Sequence, residues 1–320
     1  MDRLWQRFRL NRFVVLGRVG MDLYADPPGT RIEAATRYIS AIGGSAGNIA
    51  VALARQGADA ALLSCVSDDA VGRYCLNELR RYGVDPAFTR LTKGEARTSL
   101  AVVETRPSDA QTVLYRNGAS DFALTAADVA GLDLASAAAL VVTGTALARE
   151  PSREAVFAAL GQAQKAGAVS VLDLDHRAYS WSSREEAARV CLAAAEAADV
   201  VIGNDDEFGL LAGSHDRGPG LAKDLAGHGA LFTVYKRGPE GATTFLSDRQ
   251  FDTPIFPVKA LKPMGAGDGF MGGLLAGLAQ GHDIDTAVRR GAATAAIIVA
   301  GIGCAPASPD TATLDAFLQR

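Results

Sequence analysis

The sequence predicts an α/β fold: a doubly wound, mostly parallel sheet with helices on both faces, carrying a small β-sheet lid. Three observations predict it. Short apolar runs alternate with amphipathic or Ala-rich stretches of helical length. Those runs are apolar throughout rather than at every second residue, as strands covered on both faces must be. Two further stretches hold β-type segments with no helix between them. The first group gives strands at Phe13 to Gly17, Ala60 to Val66, Leu140 to Gly144, Val169 to Leu174, Val200 to Gly203 and Leu231 to Tyr235. Helices follow at Ala46 to Arg55, Ala70 to Tyr82, Arg153 to Ala166, Arg184 to Ala197 and Gly267 to Ala279. The exceptional stretches are Tyr24 to Ile42 and Thr98 to Arg116, the second reading as Ser99 to Glu104 and Thr112 to Tyr115 around the turn-forming Pro107-Ser108-Asp109. They should pair as an antiparallel flap, built from about 23–42 and 98–117, near the carboxyl ends of the parallel strands, where open α/β sheets bind ligands. No linker or repeat divides the chain, so 1–320 is expected to form a single domain.

Composition narrows the function. At 320 residues and 48% hydrophobic content the chain can bury a large core. Its 32 basic and 36 acidic residues leave a net charge of -4, so no basic field exists to hold nucleic acid or an anionic membrane. Cys65, Cys75, Cys191 and Cys304 form no CxxC pair, which argues against a zinc knuckle or disulfide framework and for a reducing, cytoplasmic setting. Arg3, Arg7, Arg9 and Arg12 precede an apolar run too short for a signal-peptide core, so this segment reads as a leader into the first strand. The uncharged stretch from Gly291 to Pro309 is Ala- and Gly-rich and is expected to be a buried core helix rather than a membrane span.

The most informative segment is Pro263-Met264-Gly265-Ala266-Gly267-Asp268-Gly269-Phe270. Small residues at Gly265, Ala266 and Gly267 let backbone N–H groups converge at a helix N-terminus, an arrangement that stabilises charge on a transferred phosphoryl group. Asp268 then stands where an anion arrives, a poor place for simple anion binding but a useful one for a base that deprotonates an attacking hydroxyl. A helix cap with glycines for close packing is the bland alternative. Gly43-Gly44-Ser45-Ala46-Gly47-Asn48 again puts glycines at a helix start, with Asn48 suited to sugar hydroxyls or to ordinary exposure. The same letters match G-x-S-x-G, but the preceding Arg37 to Ala41 is a poor core strand for a hydrolase elbow at Ser45. Asn204-Asp205-Asp206-Glu207 follows a strand and opens a short helix, placing Asn204 and Glu207 on one face. Their oxygens suit magnesium with nucleotide phosphates, or simply the helix N-terminus. Asp22, Asp173, Asp175 and Arg177 also sit at strand ends. No G-x-x-x-x-G-K-S/T occurs and no G-x-G-x-x-G follows the first strand, which sets aside a Walker-type site and a nicotinamide dehydrogenase.

From about Phe13 to the C-terminus these segments, in order and spacing, resemble the ribokinase (PfkB) family of carbohydrate kinases: a strand ending in Asp22, Gly43-Gly44 with Asn48, Asn204-x-x-Glu207, Lys236-Arg237-Gly238-Pro239-Glu240-Gly241 and Gly265-Ala266-Gly267-Asp268. The resemblance implies a ribokinase-like fold and an ATP-dependent kinase with Mg2+, leaving room for a monovalent cation such as K+. It makes Asp268 the base and Gly265, Ala266 and Gly267 the anion hole. Asn204 and Glu207 would organise magnesium and phosphates, Asn204 reaching the metal through water, with Lys236, Gly238 and Gly241 bordering the nucleotide. The flap would be the lid and a homodimer contact. Gly17 to Tyr24, Tyr115-Arg116 leading to Asp121, Asp173 to Arg177 and Gly303-Cys304-Ala305-Pro306 are similar to a branch that phosphorylates a deoxy keto sugar acid. Arg18, Arg116 and Arg177 would then face the carboxylate, with Asp22, Gly43, Gly44, Asn48, Tyr115 and Asp175 around the sugar. A related sugar acid or fructose is the nearer alternative, and a non-catalytic sugar or nucleotide sensor the remoter one. Lys262 stands where many members have Asp, and Gly269 where Ala is more frequent, a change expected to loosen the helix start.

Overall fold

The computed structural model describes residues 2–106, 108–261 and 264–320. The expectations for Pro107, Lys262 and Pro263 lie outside the described residues. The strands are β1 (Arg12–Leu16), β2 (Gly20–Asp26), β3 (Arg37–Gly43), β4 (Asp59–Ser67), β5 (Thr89–Thr92), β6 (Ser99–Val103), β7 (Thr112–Tyr115), β8 (Ala139–Thr143), β9 (Val169–Asp173), β10 (Val200–Asn204), β11 (Phe232–Lys236), β12 (Ala242–Phe245) and β13 (Gln250–Thr253). Nine form one sheet in the order β13-β12-β11-β10-β9-β8-β1-β4-β5. It is parallel from β11 through β5, and β12 and β13 extend it as an antiparallel hairpin that the sequence reading did not anticipate.

The continuous apolar runs explain the two helical layers. In β1, Phe13 and Val15 enter one core while Val14 and Leu16 enter the other, and β8 divides its side chains the same way. One layer contains helices Ser45–Arg55, Ala70–Arg81, Ala266–Ala279 and Ile284–Val299, and the other Ser152–Ala166, Arg184–Glu196, Asp205–Ala212 and Gly218–Gly227. The strand order reverses at β1, between β4 and β8, so a crevice opens beyond the carboxyl ends of these strands.

The remaining strands form a four-stranded sheet, β3-β2-β6-β7. It is mixed, not antiparallel throughout, because β2 runs parallel to β6. It also begins at Gly20 rather than 23. The first strand therefore does not end in Asp22: β1 stops at Leu16, the chain turns through Gly17, and Asp22 lies inside β2, facing Ala41 and Ala101 across the register.

Two helix expectations also change. The stretch from Gly291 is helical only to Val299 and continues as turns, with Gly303 in the left-handed region at φ 74°. No helix among the described residues is long and apolar enough to cross a membrane. Gly269 does not merely loosen its helix. A Cβ there would lie 2.3 Å from Ile298 Cδ1, one at Gly273 2.4 Å from Thr294 Oγ1, and one at Gly277 3.2 Å from Ala287 Cα. Glycine every fourth residue thus lets helix 266–279 approach helix 284–299 closely.

Candidate active site

Helices 45–55 and 266–279 start at the same crevice. Each begins after a glycine in the left-handed region, Gly44 at φ 86° and Gly265 at φ 83°, and neither has a side-chain cap. First-turn N–H groups have no acceptor within their own helix, so Ala266, Gly267 and Asp268 present donors at the N-terminus. The two helices bring Asn48 Nδ2 to 2.7 Å from Asp268 Oδ2, to which it donates. The other amide atom, Asn48 Oδ1, is buried with no protein partner among the described residues. A buried acceptor left over in a crevice suits a ligand hydroxyl.

Gly43 makes room for its neighbour in the crevice. A Cβ there would fall 2.0 Å from Asp22 Oδ1, so only glycine leaves room for the Asp22 carboxylate, which also accepts a hydrogen bond from Tyr24 at 3.2 Å. Gly44 lets helix 45–55 approach the carbonyl of Arg18, which accepts the Gly47 N–H at 3.2 Å. Arg18 donates from Nη1 to Ser99 Oγ at 3.1 Å, while its Nε is buried with no protein partner among the described residues. Ser45 is buried in the first helical turn, 3.4 Å from Thr145 Oγ1, in no arrangement resembling a hydrolase elbow.

On the opposite wall the loop after β9 carries Asp175 with a positive φ of 32°. Its Oδ2 accepts from Thr145 at 3.1 Å and its Oδ1 pairs with Arg177 Nη2 at 2.9 Å. Asp175 is buried, whereas the Arg177 side chain remains 47% exposed. The Asp175 charge holds the Arg177 guanidinium firmly protonated. Arg116 is differently placed. Its guanidinium is buried against Asp121, donates to Ser180 Oγ and the Thr145 carbonyl, and lies 4.2 Å over the Phe122 ring. Tyr115 does not join this wall: strand alternation puts it opposite Leu100, on the face away from Asp22, and it is 60% exposed.

Asn204 and Glu207 meet at the start of helix 205–212 as a reciprocal capping pair. Asn204 is the N-cap, its side chain accepting the Glu207 N–H at 2.8 Å, and Glu207 Oε2 accepts the Asn204 N–H at 2.7 Å. Glu207 Oε1 accepts the His176 N–H at 3.1 Å, so one carboxylate ties the β9 loop to the end of β10. Lys236 ends β11, and its Nζ would lie 3.2 Å from a Cβ on Gly267, which places an ammonium beside the glycine turn. Gly238 and Gly241 shape the turn into β12; at Gly241 a Cβ would stand 2.3 Å from the Thr253 carbonyl.

Electrostatics unify these groups. Burial pushes Asp268 up to about 6, the Asp175 charge adds to the rise, and the Asn48 hydrogen bond with Arg177 and Lys236 restrains it. Burial likewise raises Asp173 and Glu207, against the pull of Lys236. Four carboxylates thus share two nearby cations, and that excess of oxygen-borne charge suits a hard divalent ion. Sequence reasoning missed Thr145 and Tyr24: Thr145 lies just past β8 in a segment without charge, and Tyr24 joins Asp22 because residues two apart share a face of β2.

Comparison with known proteins gives a consistent result. Residues 10–311 match the pfkB family carbohydrate kinases. The chain is 36% identical over 311 residues to a 5-dehydro-2-deoxygluconokinase of Photobacterium profundum, covering 96% of this chain and 94% of that protein. It is 35% identical over 315 residues to a protein of the same name from Clostridium tetani, covering 96% and 92%. Among solved structures, a double mutant of Vibrio cholerae O395 fructokinase with fructose, ADP and a potassium ion superposes with a TM-score of 0.86 at 27% identity, covering 97% of this chain and 99% of that one.

Proposed function

The chain belongs to the pfkB family of carbohydrate kinases and is an ATP-dependent sugar kinase; from that premise we propose that its acceptor is 5-dehydro-2-deoxy-D-gluconate, phosphorylated on the 6-hydroxyl during inositol catabolism. The observation that carries the acidic substrate is Arg177, an exposed cation anchored by Asp175 and within the electrostatic reach of Asp268. A neutral sugar has no use for it, whereas a carboxylate gains a charge-assisted partner.

In this reading Asp268 accepts the proton of the 6-hydroxyl as that oxygen attacks the γ-phosphorus, while the bond from the γ-phosphorus to the β,γ-bridging oxygen breaks and ADP leaves. The N–H groups of Gly265, Ala266 and Gly267, with the Lys236 ammonium, stabilise the charge carried by the phosphoryl oxygens. Asp22 and Asn48 hold sugar hydroxyls between Gly43 and Gly44, while Arg18 and Arg177 face the carboxylate. Arg116, whose donors are already directed inward, supports the wall through Thr145. Gly238 and Gly241 border the nucleotide. Asp173, Asn204 and Glu207 would hold Mg2+, the last two through water, and the ion supplies neutralisation of phosphate charge when bound. A monovalent cation such as K+ belongs to the reading, as potassium is named with the Vibrio cholerae fructokinase. We treat 1–320 as one cytoplasmic catalytic domain with the four-stranded sheet as its lid. The lid's exposed Tyr38, Val113 and Tyr115 form the homodimer contact, and light scattering that finds only monomer would remove it.

The fructokinase likeness keeps a neutral sugar as the competing reading. The deciding experiment is ADP release with Mg-ATP and 5-dehydro-2-deoxygluconate, 2-keto-3-deoxygluconate, fructose or ribose. The keto acid should be preferred, and Arg177→Gln should raise its KM about tenfold or more with a smaller effect on fructose. A preference for fructose in the wild type would defeat the sugar-acid assignment.

A further inference from the structure

We propose that Met264 is a positioning residue that transmits the seating of the four-stranded sheet to the phosphoryl-binding turn. The proposal rests on the reading of Gly265 to Gly267 as the phosphoryl site. Its first support is packing. Tyr24 of β2, Ala41 of β3, and Ala101 and Val103 of β6 form an apolar cluster with Leu114 of β7, and that cluster is completed by two side chains from the main body, Met264 and Ile302. All four strands of the small sheet therefore contribute to the cluster on which the residue directly before Gly265 packs. Its second support is polar: the Thr112 hydroxyl of β7 donates to the Met264 sulfur at 2.9 Å.

The far side of the turn is fixed. A Cβ on Gly265 would lie 2.7 Å from Cys304 Cβ and 2.8 Å from its Sγ, and the Cys304 thiol donates to the Gly265 carbonyl at 3.5 Å. With one side held by Cys304, the packing of the small sheet on Met264 bears on the Met264 to Gly265 peptide from the other side. Seating the sheet covers Met264, and the first-turn donors of helix 266–279 take their aim from that peptide. An unbranched, polarizable thioether suits a contact made and broken in each cycle. The consequence is coupling: the turn is fully ordered only when the sheet is closed over an acceptor, which restrains transfer of the phosphoryl group to water.

The test is steady-state kinetics on Met264→Ala, Met264→Leu, Thr112→Val, Leu114→Ala and the Met264→Ala/Leu114→Ala double variant, using the sugar that the wild type turns over. Met264→Ala should lower kcat about tenfold with the sugar KM within about threefold, and Met264→Leu should recover most of it. The double variant should be little worse than the more impaired single one, since both open the same cluster. Thr112→Val, a change on an exposed strand, should lower kcat about two- to fivefold and decides the matter if the Met264 variants do not fold. Unchanged kcat in Met264→Ala or, should that variant not fold, in Thr112→Val, or fully additive losses in the double variant, overturns the proposal. Gly265→Ala separates the underlying reading. If it keeps wild-type turnover, the phosphoryl-site assignment falls and the coupling with it. If it is inactive while Met264→Ala is normal, only the coupling falls.

Discussion

Two helix beginnings at the crevice solve the same problem in opposite ways. Helix 205–212 closes its own N-terminus, with Asn204 and Glu207 each accepting the other's backbone N–H. Helix 266–279 begins on Gly265 with no side-chain cap and leaves its first donors pointing into the crevice. The closed end is finished as local structure, and its polar atoms reach a ligand only with capacity to spare. The open end is incomplete as local structure and is satisfied only by an incoming acceptor. A glycine-rich start is therefore the more informative sign of function, and an acidic start the more ambiguous one.

Substitutions at the two ends should fail differently. At the open end Asp268→Asn keeps a group able to contact Asn48 but cannot accept a proton, so turnover should fall about 10²- to 10⁴-fold with little change in sugar KM. The wild-type pH profile should show the same residue: Asp268 is raised to about 6 and acts deprotonated, so kcat/KM should fall as pH drops through that value. A retained acid limb in the residual activity of the Asn variant would assign the titration to another group. At the closed end the loss should be smaller and of another kind. Asn204→Ala should cost about 1 kcal/mol, seen as a Tm lower by about 2–4 °C, and Asn204→Ser, which still caps, should restore it. If Asn204 also organises magnesium, the KM for Mg-ATP rises in both variants; an unchanged KM in both would leave it a cap alone.

Much of the main sheet was legible because each strand is a continuous apolar run and each helix has its own period. The second sheet was only partly legible. Alternation marked β6 and β7, but nothing local tells that β2 lies beside β6 in parallel, since that pairing depends on the crossover between them. The hairpin of β12 and β13 escaped notice because its strands are four residues each and mostly polar, five of the eight residues being Thr, Gln or Asp. In the site, Asp268, Asn48 and Lys236 stood out by their glycine or strand-end settings. Arg116 did not reveal that Asp121, five residues on, would claim its guanidinium. Tyr115 illustrates the limit: one residue of register decides which face of a strand a side chain occupies.

The glycine row on helix 266–279 has a consequence for how this enzyme can change. With Gly269, Gly273 and Gly277 pressed onto Ile298, Thr294 and Ala287, that face of the helix bearing Asp268 offers no position that accepts even a methyl group without displacing its neighbour. Small adjustments in the aim of the carboxylate must therefore come from the opposing helix, where trimming Ile298 to Val or Thr294 to Ser alters the seat without touching the seated element. A search for variants with altered acceptor geometry would find its gradual steps there, and abrupt losses on the glycines themselves.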